Sequence, residues 1–304
     1  MVERSRRFDL IAQAVLFLGL VIASLPFIIV AIAASHDLPT VNKVPMPLTP
    51  GHDFVKNVVE AWQRADLGTK LINSLIFAGG VALGKVFIAA LSAFSIVYFR
   101  YRGRMVIFWL IFITLMLPLE VRIVPTYSVA ANVLNPYQTI LDLTGITWLI
   151  QQVSGLQVSL QWGLLNSYTG LIAPLVATAT GTFLYRQFFL TLPDEWVEAA
   201  KMDGAGPLHF FIDVLLPVSR TNMVALGTIM FVWAWNQYLW PLLVTTDPGH
   251  ATAVMELKEL IPSTYGIPDW NVAMAGTLIV MLPPLIVVVL MQRWFVRGLI
   301  ATEK

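Results

Sequence analysis

The sequence predicts an all-α membrane protein with six transmembrane helices and both termini in the cytoplasm. Three observations carry this. The 304 residues are 57% hydrophobic and only 12% charged, where soluble domains average about 25% charged. Uncharged apolar runs recur near the length of roughly 20 residues that a spanning helix needs. Basic residues gather on alternate connections between those runs. Helices are the required element, because lipid offers no partners to an open backbone. The low charge excludes a soluble enzyme and a disordered tail, and a net charge of +1 lacks the basic footprint of a nucleic-acid binder. The absence of cysteine excludes disulfide frameworks, thiol catalysis and cysteine metal sites.

Residues 1–9 are expected to form a short cytoplasmic N-terminus, 10–299 the transmembrane domain, and 300–304 a cytoplasmic tail. The first span covers about 10–34, since Leu10–Ala34 is 25 residues without a charge. Ala31-Ile-Ala33 resembles a signal-peptide cleavage site behind Arg4–Arg7. A signal core holds only about 7–15 apolar residues, so this run is expected to stay as a helix. The second span, about 71–99, is interrupted only by Lys85. The third covers about 105–125. Met105–Leu119 is uncharged but short, which puts Glu120 and Arg122 at its far end. Later spans fall at about 164–186, 218–246 and 270–293.

Leu143–Tyr185 runs 43 residues without a charge. A seventh span there would invert everything after it. The Gln and Ser content of Leu143–Leu165 favours instead an interfacial or re-entrant outer segment within 126–163. Val158-Ser-Leu-Gln-Trp162 alternates apolar and polar, which suits a short strand. Leu134-Asn-Pro-Tyr137 and Leu165-Asn-Ser-Tyr168 echo each other, through duplication or by chance.

Basic residues set the orientation. Twelve (Arg4, Arg6, Arg7, Arg100, Arg102, Arg104, Arg186, Lys201, Arg220, Arg293, Arg297 and Lys304) fall on one side. Six (Lys43, Lys56, Arg64, Lys70, Arg122 and Lys258) fall on the other, over longer loops. The richer side is the cytoplasm.

Several patterns imitate chemistry. Gly79–Lys85 spells a phosphate-binding loop, but Val86 stands where magnesium needs a Ser or Thr hydroxyl. Gly80-x-x-x-Gly84 suits a small-residue face for close helix packing. Lys85, a cation inside a span, must either pair with a carbonyl or carboxylate or line a wet path. His36, His52, His209 and His250 are scattered and form no metal motif. Trp109, Tyr168, Trp240, Trp270 and Trp294 read as interface anchors. No catalytic residues and no metal ligands are expected.

The connection 191–217 is built like a bracket. Thr191 is placed to cap a helix with Pro193 in its first turn. Asp194 and Glu195 sit where the helix dipole favours anions. Gly204 stops that helix. Gly206-Pro207 starts a second, which Pro217 ends. Ala199 and Ala200 are small enough for a partner to approach, and Glu198 offers a partner arginine a charge-assisted bond.

Glu198-Ala-Ala-x-x-x-Gly204-x9-Val214-x-Leu216-Pro217 resembles the EAA loop of the MalG-like membrane subunits of binding-protein-dependent ABC importers, with Val214 where the family usually has isoleucine. Arg186–Glu195, Trp235–Leu243, Met291–Leu299 and Leu117–Arg122 are similar to members that import sn-glycerol-3-phosphate, a resemblance covering most of the chain from about residue 71. The outer segment at about 134–165 is longer than the family pattern. The resemblance implies a type I ABC importer permease fold in a bacterial inner membrane. Its ATPase-coupling residues would be Glu198, Ala199, Ala200, Asp203, Gly204 and Pro217. Its partners would be a homologous second permease subunit, a dimer of ATPase subunits and an extracytoplasmic substrate-binding protein. ATP and magnesium would reside on the ATPase and no cofactor on this chain. The substrate would be sn-glycerol-3-phosphate or a glycerophosphodiester, with Lys85, Arg122, Asn236 and Tyr238 along its path. An oligosaccharide such as maltose or trehalose is the alternative, served by Trp233, Trp235 and Tyr238. An ion-coupled secondary transporter would need buried acids, and the spans hold no mid-membrane Asp or Glu. A scaffold that transports nothing is the third class.

Overall fold

A computed structural model describes residues 6–114, 117–157, 159–261 and 268–301, and the described residues are helices joined by turns and extended loops. Side chains of residues 6, 7 and 295–301 are outside that description, as are Arg4, Val158 and Lys304. The helices used below are α1 (Arg6–Ala34), α2 (Phe54–Arg64), α3 (Leu67–Tyr98), α4 (Arg104–Ile113), α5 (Leu119–Ala131), α6 (Asn135–Leu143) and α7 (Ile146–Ser154). They continue with α8 (Ala179–Phe189), α9 (Glu195–Met202), α10 (Pro207–Val218), α11 (Arg220–Trp235), α12 (Leu239–Val244) and α13 (Trp270–Ala301).

Among the described residues, three helices are long and apolar enough to cross a bilayer: Phe8–Ala34, Leu67–Tyr98 and Trp270–Trp294. α10 and α11 together make a fourth candidate, bent by 75°. The remaining expected spans are interrupted. The run at 105–125 is divided between α4 and α5, with Pro118 at the α5 N-cap. The run at 164–186 becomes Tyr168–Ile172, a tight turn Ala173–Leu175 containing Pro174, and α8, which Thr178 caps by accepting the Gly181 N–H at 3.3 Å. The run at 218–246 breaks after Trp235, where Asn236 ends α11 and α12 follows. Pro118 and Pro174 mark the first two breaks, since proline lacks an N–H and disfavours helix in the residue before it; hydropathy averaged over a window registers none of the three.

The chain forms two compact units, residues 1–70 with 256–282 and residues 71–255 with 283–304. In the first, Asn57 is a buried polar hub. Its Nδ2 donates to the carbonyls of Ala34 and His36, both at 2.8 Å, and its Oδ1 accepts from Asn271 Nδ2 at 2.8 Å. Arg64 and Asp269 pair at 2.7 Å, which holds the guanidinium pKa above its ordinary value. Glu256 faces Lys70 at 4.0 Å; burial raises its carboxyl pKa and the lysine opposes that shift. The most apolar stretch of α1 buries none of its residues within the chain.

The second unit has two apolar cores. One joins Ala89, Ala90, Ala93 and Phe94 of α3 to Tyr185 and Phe189 of α8, Phe210, Phe211 and Leu215 of α10, and Leu226 and Met230 of α11. The other joins Phe77, Ala78 and Val81 of α3 to Ile123, Leu171, Leu175, Trp235 and Trp240. Gly79–Lys85 lies inside the continuous helix α3 and forms no loop. A Cβ on Gly80 would come within 2.6 Å of Ile172 Cδ1, and one on Gly84 within 2.5 Å of Val176 Cγ1. The glycines therefore admit the 172–176 segment against α3, the close approach that small residues permit.

Two expectations are corrected here. Trp240 is 0% exposed, and its Nε1 donates to the Leu171 carbonyl at 3.0 Å, so it fills the core and does not anchor an interface. Ser159–Trp162 is extended but forms no strand. It is tied to the end of α5 by Val133 N–H to the Trp162 carbonyl at 2.9 Å and Leu164 N–H to the Ala130 carbonyl at 2.8 Å. These two backbone bonds, with the Asn132 and Gln138 side chains bonded to Leu160 and Trp162, fix its path without the repeated ladder a strand requires.

Candidate functional site

The 191–217 connection folds as two helices over the first core. Asp194, not Thr191, occupies the N-cap of α9. The Thr191 hydroxyl instead donates back to the Phe188 carbonyl at 2.7 Å, closing the end of α8. Glu195 and Glu198 lie in the first turn of α9 and Lys201 in its last, each matching the helix dipole. At the other end Gly204 adopts φ +74°. The Gly204 N–H donates to the Lys201 carbonyl at 3.1 Å and the Ala205 N–H to the Ala200 carbonyl at 2.9 Å. This pair of bonds is the Schellman closure, with Asp203 as the C-cap residue.

Gly206 then precedes α10, with Pro207 in its first turn. The α10 backbone is π-helical over Phe210–Leu215, a wide turn that often marks functional positions. Pro217 does not end the helix. It sits within the last segment, Leu216–Val218, and the chain bends one residue later at Ser219, whose hydroxyl donates to the Leu215 carbonyl at 2.6 Å.

The bracket has two faces. Leu192, Val197, Ala200, Val214 and Leu216 pack inward against the first core. Glu198, Ala199, Lys201, Met202, Asp203 and Gly204 are exposed. Ala199 therefore supplies the small outward surface and Ala200 an inward one, which divides a pair that the sequence treats alike. Met202 is 83% exposed and Leu208 67%. Both are outward apolar side chains that sequence reasoning passed over, though large apolar residues beside the motif were a visible signal. No ion pair holds Glu198 among the described residues.

A second feature lies between α3, α4, α5, α8 and α11: a cavity of about 520 Å³. Lys85 and Arg122 both line it, with Thr114, Thr178, Thr180 and Trp233 among its other walls and no carboxylate. Lys85 is 6% exposed, and its Nζ lies over the Trp233 ring at 4.0 Å. Arg122 Nε is buried without a hydrogen-bond partner. Lys85 thus pairs with an aromatic face where a carbonyl or carboxylate was one expectation, and it also lines this cavity. Asn236 and Tyr238 are absent from these walls. Asn236 Nδ2 donates to the Val232 carbonyl at 2.8 Å, and Tyr238 stands in the break before α12. Trp235 is 2% exposed within the second core. Thr178 and Thr180 were missed, since threonines in an apolar run carry no distinctive signal.

A family model described as the binding-protein-dependent transport system inner membrane component matches residues 85–301. The chain is 43% identical to the sn-glycerol-3-phosphate transport system permease protein UgpE of Yersinia enterocolitica, over 100% of both chains. It is 44% identical to the UgpE of Pectobacterium atrosepticum and 42% to that of Salmonella typhi, again over 100% of both. Among solved structures, a chain of a bacterial ABC transporter involved in the import of the acidic polysaccharide alginate superposes with a TM-score of 0.71. The match covers 97% of this chain and 99% of that one at 19% identity, a likeness of fold.

Proposed function

We propose that this chain, which belongs to the family of binding-protein-dependent transport system inner membrane components, is the permease subunit of an ATP-driven importer of sn-glycerol-3-phosphate. It is an inner membrane transport subunit and not an enzyme. The single observation that carries the substrate is 43–44% identity over the full length of relatives named for sn-glycerol-3-phosphate transport.

In this reading six spans cross the membrane with both termini cytoplasmic: α1, α3, the α4–α5 pair, the broken run from Tyr168 to Phe189, α11 with α12, and α13. The 191–217 bracket faces the cytoplasm and docks in a groove of an ATPase subunit. Glu198, Ala199, Asp203 and Gly204 meet the partner, while Ala200 and Pro217 hold the bracket's own shape. The exposed Glu198 carboxylate and the apolar Met202 and Leu208 support this. The partners are a second permease subunit (UgpA-like), an ATPase dimer (UgpC-like) that holds ATP and magnesium, and an extracytoplasmic binding protein (UgpB-like) that meets the 126–163 side. ATP binding closes the ATPases and rocks the bundle. The binding protein favours the closed state by binding it more tightly, which shifts the population. Lys85 and Arg122 line the path; Asn236 and Tyr238 stand beside it.

The test is ATP-driven uptake into proteoliposomes holding the whole importer, with sn-glycerol-3-phosphate, glycerophosphocholine and trehalose compared. Uptake of sn-glycerol-3-phosphate supports the reading. Uptake of trehalose alone overturns the substrate, and gradient-driven uptake without ATPase overturns the class.

A further inference from the structure

The walls of the cavity share one electrostatic sign. Lys85 and Arg122 are both positive, and among the described residues no carboxylate lines the cavity. The N-terminal turn of α8 opens on the same space through Thr178, Ala179 and Thr180. A helix N-terminus favours an anion. It is not the only sign of one, because the Arg122 Nε, on a half-buried side chain, is a buried donor with no partner among the described residues, and a buried donor left unpaired is costly. Lys85 makes do with the face of Trp233 at 4.0 Å, a weaker partner for an ammonium than an ionised oxygen would be. The cavity, about 520 Å³, falls within the size range of roughly 300–1,000 Å³ typical of small-molecule sites. It has room for a polyol beside an anionic head.

We propose that this cavity is a phosphate-monoester subsite, in which Lys85 swings off Trp233 to join Arg122 on the phosphoryl oxygens, leaving the indole face for the carbon chain. This rests on the importer reading above and adds to it a holding site in the membrane subunit itself. Trp233 then has two tasks. It parks the lysine while the cavity is empty, and it offers an apolar wall once the lysine has moved. A neutral sugar would leave both cations unpaired and is selected against.

The chain has no cysteine, so a single one reports cleanly. Ala177, exposed on the cavity wall, is changed to Cys in the assembled importer, and its reaction with a small thiol reagent is followed by the mass of this chain. With sn-glycerol-3-phosphate or inorganic phosphate present, labelling is expected to slow about tenfold, while glycerol and trehalose leave it unchanged. Lys85→Met and Arg122→Gln should each abolish the protection, and Lys85→Arg should keep it. Protection by glycerol equal to that by the phosphate ester would overturn the proposal. So would protection that survives in either Lys85→Met or Arg122→Gln. Uptake measured on the same preparations separates the two readings: an importer that takes up sn-glycerol-3-phosphate but shows no protection loses the subsite alone, and one that takes up none loses the substrate.

Discussion

Ala199 and Ala200, neighbours in the chain, face opposite ways: Ala199 is exposed on the outer surface of α9, while Ala200 packs on the apolar core beneath and its carbonyl accepts the Ala205 N–H at 2.9 Å. In the proposed docking the first shapes what the ATPase meets, while the second packs α9 on the core.

Enlarging the two should therefore fail differently. Ala200→Leu overfills a packed site and is expected to cost about 1–3 kcal/mol, read as a lower melting temperature of the purified membrane subunits. Ala199→Leu should leave that temperature unchanged and weaken co-purification with the ATPase.

Gly204 holds φ +74° with open space around a would-be Cβ, so the cost of a side chain there is conformational alone. Gly204→Ala is expected to destabilise the bracket by about 1–2 kcal/mol, and Gly204→Asn by less. Hydrogen exchange of the Lys201–Ala205 amides should quicken in that order.

Gly84 and Val176 form a coupled pair, since a Cβ on the glycine would meet Val176 Cγ1 at 2.5 Å. Gly84→Ala alone should cost about 1–3 kcal/mol, and Val176→Ala in the same chain should recover most of it. A double-mutant cycle on melting temperature reads the coupling.

Trp240→Phe removes the donor to the Leu171 carbonyl and keeps most of the ring volume. The orphaned carbonyl is expected to cost about 1–3 kcal/mol, measured by thermal unfolding in detergent, with uptake at permissive temperature retained.

The helical class and the outline of the bracket were legible because each rests on local signals. Gly204 ends α9, Pro207 begins α10, and a long apolar run announces α1, α3 and α13, broken in α3 only by Lys85. What was not legible depends on competing hydrogen bonds and contacts, some local and some distant, that residue types alone do not rank. Thr191 stands where a cap belongs, yet its hydroxyl serves the preceding helix, and Pro217 lies inside α10, which runs on to Val218. Trp240 sits near the end of an apolar run, as interface tryptophans do, but Leu171, 69 positions away, offers its carbonyl. Lys85 and Arg122 were grouped on one path by resemblance alone, and the packing of α3 and α5 brings both to one cavity. Asn236 and Tyr238 looked equally eligible, and local hydrogen bonding and the helix break keep them off its walls.

The central claim is that residues 191–217 form a cytoplasmic handle gripped by an ATPase subunit. The most direct test places Cys at Ala199 and exposes the whole importer, in intact cells and in inside-out vesicles, to a membrane-impermeant maleimide. Labelling is expected only in the vesicles, with protection when the ATPase is bound and its return when the ATPase is stripped away. Labelling from outside intact cells, or no protection by bound ATPase, would contradict it.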